Sequence, residues 1–305
     1  MKKILLATSI LAGSAGVASA DVSFSGNAYM GISNENAVVN FGLDTSDFEF
    51  IARARLKVTM TGETDGGVSF GASFEMHNAG GAGSSGPAAP PAPPFNGDST
   101  QGSAKVWIEG EFGKITMGDI GTAPDTLIGN VDGVGLAIDP SLNELGYGLG
   151  GIYQKTGVNY SRTFGDFTLV VGASQTEAVW GFAVYSIAAK YSFGDYAVYA
   201  GYESLQVGGG SAGQTTVGAD ATFGNFTVKV RATDGDYQSN TYAISGTGTF
   251  DAISVTAFYA DYDGQAAYGL GGAYDLGGGA KFKVGAVGLD GQSENIIDMG
   301  LSFDF

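Results

Sequence analysis

Arg53, Arg55 and Lys57 alternate with Ala54, Leu56 and Val58, and that spacing of two is the chain's clearest arrangement of reactive charge. In an extended strand successive side chains point to opposite faces, so the cations form one ladder and the apolar residues another. Lys105, Lys155, Lys190, Lys229, Arg231, Lys281 and Lys283 fall on the same phase of their own segments. Four acids, Asp125, Asp132, Asp139 and Glu144, stand on an irregular stretch at 120–152. Opposed cations and carboxylates hold water and sort ions, provided that the elements carrying them bring them together.

Covalent and metal chemistry are poorly provided for. The chain has one histidine, His77, beside Glu75 and Asn78, with Ser73 nearby, and nothing orients these residues as a nucleophile–base pair. Cysteine is absent, so there is no Cys/His cluster for zinc and no disulfide. Asp234-Gly235-Asp236 and Asp261-Tyr262-Asp263 could attract Ca²⁺ or bridge lipopolysaccharide, yet neither is a full calcium loop, and both read as solvated loop tips. No enzyme is expected. Lys and Arg total 14 against 31 Asp and Glu, a net charge of −17, which argues against nucleic acid as a partner.

The elements that must position these charges are strands. Lys2 and Lys3, the apolar run from Ile4 to Ala12 and the small residues Ala18-Ser19-Ala20 read as a signal peptide over residues 1–20. Its removal would leave 12 basic residues against 31 acidic, a net charge of −19, on a chain sent beyond the cytoplasm. No later stretch offers the ~18 uninterrupted apolar residues of a spanning helix. Instead Ile297, Met299, Leu301, Phe303 and Phe305 alternate with Asp298, Gly300, Ser302 and Asp304. Tight turns at Phe164-Gly165-Asp166, Phe193-Gly194-Asp195, Phe223-Gly224-Asn225, Phe250-Asp251-Ala252 and Leu276-Gly277-Gly278-Gly279 continue that series backwards. The intervals are 29, 30, 27, 26 and 29 residues. Each interval fits two strands of ~9–11 residues with their connections, which predicts sixteen strands, the first near 22–33 and the last near 295–305. The tenth is expected over 214–223.

The two faces need different solvents. Val106, Ile108, Tyr185, Ile187, Val217, Tyr242, Ile244, Phe226, Val228, Val230, Ile253 and Val255 share the outward phase, while the other phase is too charged to be a core. A cation facing lipid near mid-membrane costs ~2–4 kcal/mol, so the polar phase turns to water inside and the apolar phase to lipid. Phe112, Phe164, Phe193, Phe223, Phe250 and Phe305 then fall at one height, as an aromatic girdle at the periplasmic interface. Arg162 sits on the outward phase against this pattern. The segment at 79–101, with Pro87, Pro90, Pro91, Pro93 and Pro94, cannot pair and reads as an external loop. The stretch at 120–152 is long and apolar, with Leu127, Ile128, Val131, Val134, Leu136 and Ile138 among others, so it should pack against the inside of a barrel.

Ala52 to Phe74 (ARARLKVTMTGETDGGVSFGASF), Glu111 to Asp119 (EFGKITMGD), Tyr268 to Ala280 (YGLGGAYDLGGGA) and the closing strand together resemble the general diffusion porins of the alphaproteobacterial, Rhodobacter-type Gram-negative family. The resemblance implies an all-β, sixteen-stranded antiparallel barrel in the outer membrane, assembled as a homotrimer. Its third external loop, here 120–152, would fold into the lumen and set acids against wall cations. It also implies passive passage of small hydrophilic solutes and ions, and contact with lipid and lipopolysaccharide. Some family members bind calcium near this loop, though no ligand set stands out here. The competing expectation is a structural or adhesin barrel with a closed lumen, for which the later external loops are short.

Overall fold

In a computed structural model the chain is described at residues 20–35, 48–80, 104–138, 142, 147, 154–176, 183–207, 210–236 and 240–305. All but the last residue of the signal-peptide segment, and most of the Pro-rich loop, lie outside the described residues. Period-two alternation yields strands throughout. They are β1 (Asp21–Ser33), β2 (Glu49–Glu63), β3 (Ser69–Gly80), β4 (Lys105–Gly110), β5 (Gly113–Gly118) and β6 (Gln154–Phe164). Next come β7 (Phe167–Thr176), β8 (Ala183–Phe193), β9 (Tyr196–Val207), β10 (Gly210–Phe223) and β11 (Phe226–Gly235). The last five are β12 (Thr241–Phe250), β13 (Ile253–Tyr262), β14 (Gln265–Gly277), β15 (Ala280–Leu289) and β16 (Ile296–Asp304). A short helix, α1 (Ala123–Leu127), lies between β5 and β6.

Every strand pairs antiparallel with its neighbours in sequence, and β1 pairs with β16 from Asn27↔Asp304 to Ser33↔Asp298, so the barrel is closed. Phe305 completes the seam: its N–H donates to Gly26 O at 2.9 Å, and Gly26 N–H donates to Phe305 O at 3.2 Å. Closure leaves no edge in hydrocarbon, where an unpaired N–H or C=O has no partner. At the short-turn rim Gly165, Gly194 and Gly224 hold φ of 58°, 62° and 59°, as the primed turns of two-residue hairpins require. Asp251 takes the same left-handed position at φ 51° without being glycine.

Most of the outward phase is exposed, including Val106, Ile108, Tyr185, Ile187, Val217, Tyr242, Ile244, Val230, Ile253 and Val255, although Val58 on β2 is buried. All six girdle phenylalanines are exposed at the short-turn rim. Neighbours widen the belt: Phe193 stacks between Tyr191 and Tyr196 at 5.8 and 5.5 Å, Phe226 meets Phe250 edge-on at 5.6 Å, and Phe303 stacks on Phe305 at 6.5 Å. Arg162 finds its reason here. Its guanidinium lies over the Phe164 ring, 4.8 Å from the centroid, which holds the outward cation at interface height.

β10 begins at Gly210, four residues before the expected start. Gly210-Ser211-Ala212-Gly213 has no large apolar residue to signal a strand, and its pairing with β9 from Gly210↔Val207 decides the matter. β4 and β5 are only six residues each, and the chain leaves β5 at Gly118 directly into the irregular stretch.

Replacing Phe305 with Ser should remove its stack on Phe303 and weaken the seam. The expected loss is about 1 kcal/mol from the aromatic pair alone, with a lower yield of folded barrel. Urea titration of protein folded into vesicles measures it, and an unchanged midpoint and yield would separate Phe305 from closure.

Candidate functional site

Residues 121–138, after β5, lie against the inward phase of the wall, and polar side chains of that wall take up their free backbone groups. Ser186 on β8 accepts from Ala123 N–H at 2.9 Å, Asn159 on β6 donates to Gly121 O at 3.0 Å, and Ser245 on β12 accepts from Asp132 N–H at 2.9 Å. Thr122 caps α1, its hydroxyl accepting from Asp125 N–H at 3.5 Å. Asp298, fully buried on β16, accepts from the N–H groups of Leu136, Ala137 and Ile138. Three converging backbone N–H groups make a cradle for one carboxylate. The last strand thus closes the barrel with its backbone edge and holds the strap with its inward face.

Apolar packing and bare backbone complete the seat. Ile128 and Ala123 pack on Val170 and Ala188, while Val131 and Ile138 pack with Ala243, Phe258, Ala260, Val287 and Ile296. Between these clusters the wall carries glycine where the strap comes closest. A methyl group on Gly201 would come within 2.8 Å of Pro124 Cγ, and one on Gly271 within 2.8 Å of Val134 Cβ. On Gly285 it would collide with the Gly135 backbone, and on Gly31 or Gly300 with Leu136. These inward glycines let strap and wall approach backbone to backbone.

The charges divide by place. Lys229 Nζ lies 2.6 Å from Asp132 Oδ1, and Thr247 donates to the other oxygen at 3.3 Å. Arg231 is 2% exposed and lies beneath the strap, 2.7 Å from Asp220. It donates to Ile128 O at 3.2 and 3.0 Å, to Gly129 O at 3.1 Å, and to the wall carbonyls of Ala219 and Val230. With its N–H groups so occupied and Tyr199 against its plane at 5.0 Å, Arg231 anchors the strap rather than facing open water. Lys190 Nζ stands 5.7 Å from the Tyr199 ring centroid. Tyr147 donates to Gly129 O at 2.8 Å, and burial pushes its hydroxyl up, so it stays a neutral donor. Burial likewise pushes the Asp125 carboxyl up, against the opposing charge of Lys105.

Arg53, Arg55 and Lys57 run along β2 as one ladder. Arg53 donates to Asn27 Oδ1 at 3.3 Å and lies over Tyr29 at 4.8 Å, and Arg55 pairs with Glu75 at 3.4 Å. Lys105 opens β4. Asp139, Glu144 and the side chain of Lys155 lie outside the described residues. Among the described residues no three of His, Cys, Asp and Glu converge as a metal site. Asp236 and Asp261 instead accept from the N–H groups of Gly213 and Gly264 at 3.0 and 2.8 Å, tying down their own loops. Asp298, Asp220 and the glycine seat escaped sequence reasoning. Their one signal was polar or missing side chains on the inward phase.

Gly285→Val should force the strap away from β15 and give a smaller conductance step in planar bilayers. Gly246→Ala, where a methyl group meets nothing within 4 Å, should leave the step unchanged. Equal steps in both variants would contradict the seat.

The profile of the Gram-negative porin family matches residues 7–292. A porin from Rhodobacter capsulatus is 29% identical over 93% of this chain and 100% of its own. A solved porin structure refined at 1.8 Å superposes with a TM-score of 0.76 at 26% identity, covering 93% of this chain and all of that one. A variant of Rh. blastica porin, at 23% identity and a TM-score of 0.68 with the same coverage, shares the fold. With a closed barrel, a polar inner wall and a family match across nearly its whole length, the chain belongs to the Gram-negative porin family of outer-membrane channels.

Proposed function

We propose that the barrel passes small hydrophilic solutes and ions by passive diffusion, with a weak preference for cations. The carrying observation is the path of the strap. Its contacts run from Asn159 on β6 round to Gly31 on β1, and the next strand, β2, bears the Arg53, Arg55 and Lys57 ladder. Water would pass between the strap's free edge and that ladder, in a section where acids and cations face each other. Such a field holds hydration tightly and disfavours apolar solutes. The large acid excess supports the cation preference, because acids near the mouths concentrate counter-ions. Export would use the segment 1–20 as a signal peptide.

The outer surface supports an assembly of copies. Met30, Met60, Met76, Met117 and Met299, five of the chain's six methionines, stand on the outward phase of β1, β2, β3, β5 and β16. Tyr185, Tyr191, Tyr196, Tyr202, Tyr242, Tyr259, Tyr268 and Tyr274 are exposed on β8 to β14. Tyrosine suits the headgroup boundary, whereas methionine suits a packed protein contact. We assign β16 and β1–β5 to the subunit contact of a homotrimer, and the tyrosine-rich arc to lipid and lipopolysaccharide. Ala54→Trp on β2 should convert the oligomer to monomers in detergent, while Ala219→Trp on β10 should not, as read by size-exclusion chromatography with light scattering. Identical profiles for both would remove this assignment.

Planar bilayers test the channel itself. Discrete conductance steps are expected, and silence from folded protein would favour a closed barrel. Asp132→Asn, which leaves Lys229 without its carboxylate, should shift selectivity toward anions. The combined Arg53→Ser and Arg55→Ser change should strengthen cation preference and enlarge the step. Reversal potentials should move by on the order of 10 mV, inside the ~59 mV that a tenfold gradient of a monovalent ion allows. Unmoved potentials in both would take these residues out of the narrow section.

A further inference from the structure

Beneath the strap, on the side of the short turns, the inward phase of β12–β15 encloses a recess of about 390 Å³. Gly133, Val134 and Gly135 roof it, and the small side chains of that segment keep it open. Ser254 and Thr256 line one wall, with the Thr256 hydroxyl 2.9 Å from that of Thr247. Lys281 and Lys283 line the other, and the acids Asp251 and Asp275 complete the lining. At ~30 Å³ per molecule the space holds about a dozen waters, or one solute of comparable size.

The charges within it are unequally free. Lys281 lies 4.0 Å from Asp304 and opposite Asp275 in register, so acids already flank it. The Asp275 carboxylate itself accepts from Gly277 N–H at 2.7 Å and is engaged in its turn. Lys283 differs. Its cross-strand partners are Ala273 and Gly300, both without charge. The acid that its field reaches, Asp298, has its oxygens occupied by the N–H groups of Leu136, Ala137 and Ile138. Asp298 still attracts Lys283, but among the described residues Lys283 forms no salt bridge, so its N–H groups stay available in a recess whose far wall carries hydroxyl groups.

We propose that this recess is a binding subsite for small hydroxylated carboxylates, held by Lys283 through the carboxylate and by Ser254 and Thr256 through the hydroxyls. It rests on the reading of the barrel as an open channel, and it makes one class of solute pause during passage. Local attraction of one anion is compatible with a weak cation preference set by the acid excess of the whole chain.

Gluconate is the probe, with glucose and acetate as its neutral and hydroxyl-free counterparts. In single-channel recordings gluconate should produce resolved current reductions, more often when added on the short-turn side, while glucose should produce none and acetate only shorter ones. Lys283→Gln should shorten the gluconate dwell on the order of tenfold, the factor expected for losing one charge-assisted contact in wet surroundings. Lys283→Arg should preserve it. A conducting channel that shows no gluconate events, dwell times in Lys283→Gln equal to wild type, or glucose events as long as gluconate events would each overturn the subsite. Folded protein that conducts nothing would overturn the channel reading instead.

Discussion

Hydrocarbon offers backbone N–H and C=O groups no partner, and it penalises a charged side chain by several kcal/mol. Both facts act on every strand at once. The first forces β1 to meet β16, so that the hydrogen-bond ladder has no end, and Phe305 and Gly26 finish the seam. The second fixes the rotation of each strand, since Lys229 and Arg231 on β11 can only point inward if Val228 and Val230 point out. Register is thus set twice, by pairing and by solvent, and a slip of one residue would put the cations into lipid. Where a cation does face outward, as at Arg162, it sits at the rim on an aromatic ring.

A barrel satisfied in this way encloses a wide polar space, and the chain uses residues 121–138, between β5 and β6, to occupy part of it. A segment with Ile128, Val131, Val134, Leu136 and Ile138 cannot stay in water without loss, yet the inner wall is polar. The conflict is resolved in patches. Small apolar residues such as Ala188, Ala243 and Ala260 receive the large side chains, glycines admit the backbone, and Arg231 and Asp298 bind opposite polar groups of the strap. Arg231 takes carbonyls and Asp298 takes N–H groups, so the two anchors hold the segment at separate points along its length.

The barrel was legible because its signals are repeated. Six aromatic rings in register and a two-residue alternation over sixteen segments leave little freedom, and the expected starts of the first and last strands fall one residue from those observed. β10 was misjudged at its start because Gly210–Gly213 has no periodic apolar residue to read. The ladder on β2 was legible for the same reason as the strands. The anchoring of the strap was not. That Asp132 meets Lys229, and that Arg231 lies beneath the strap beside Asp220, depends on where an irregular segment crosses the wall. Periodicity carries no information about that crossing. The glycine seat was hidden in another way, since an absent side chain on the inward phase looks the same whether a neighbour fills the space or water does.

The chain contains no cysteine, so single cysteines report solvent access without background. β12 holds all three environments: Thr249 is exposed on the inward phase, Ala243 on that phase is covered by Val131 and Ile138, and Ile244 faces outward. The direct measurement is the rate at which a charged, water-soluble thiol reagent modifies each variant in reconstituted membranes. A docked strap inside a lipid-facing barrel predicts fast reaction at Thr249→Cys, slow reaction at Ala243→Cys and none at Ile244→Cys. Equal rates at Thr249→Cys and Ala243→Cys would contradict docking of the strap on the inner wall, and rapid reaction at Ile244→Cys would contradict the assignment of the two faces.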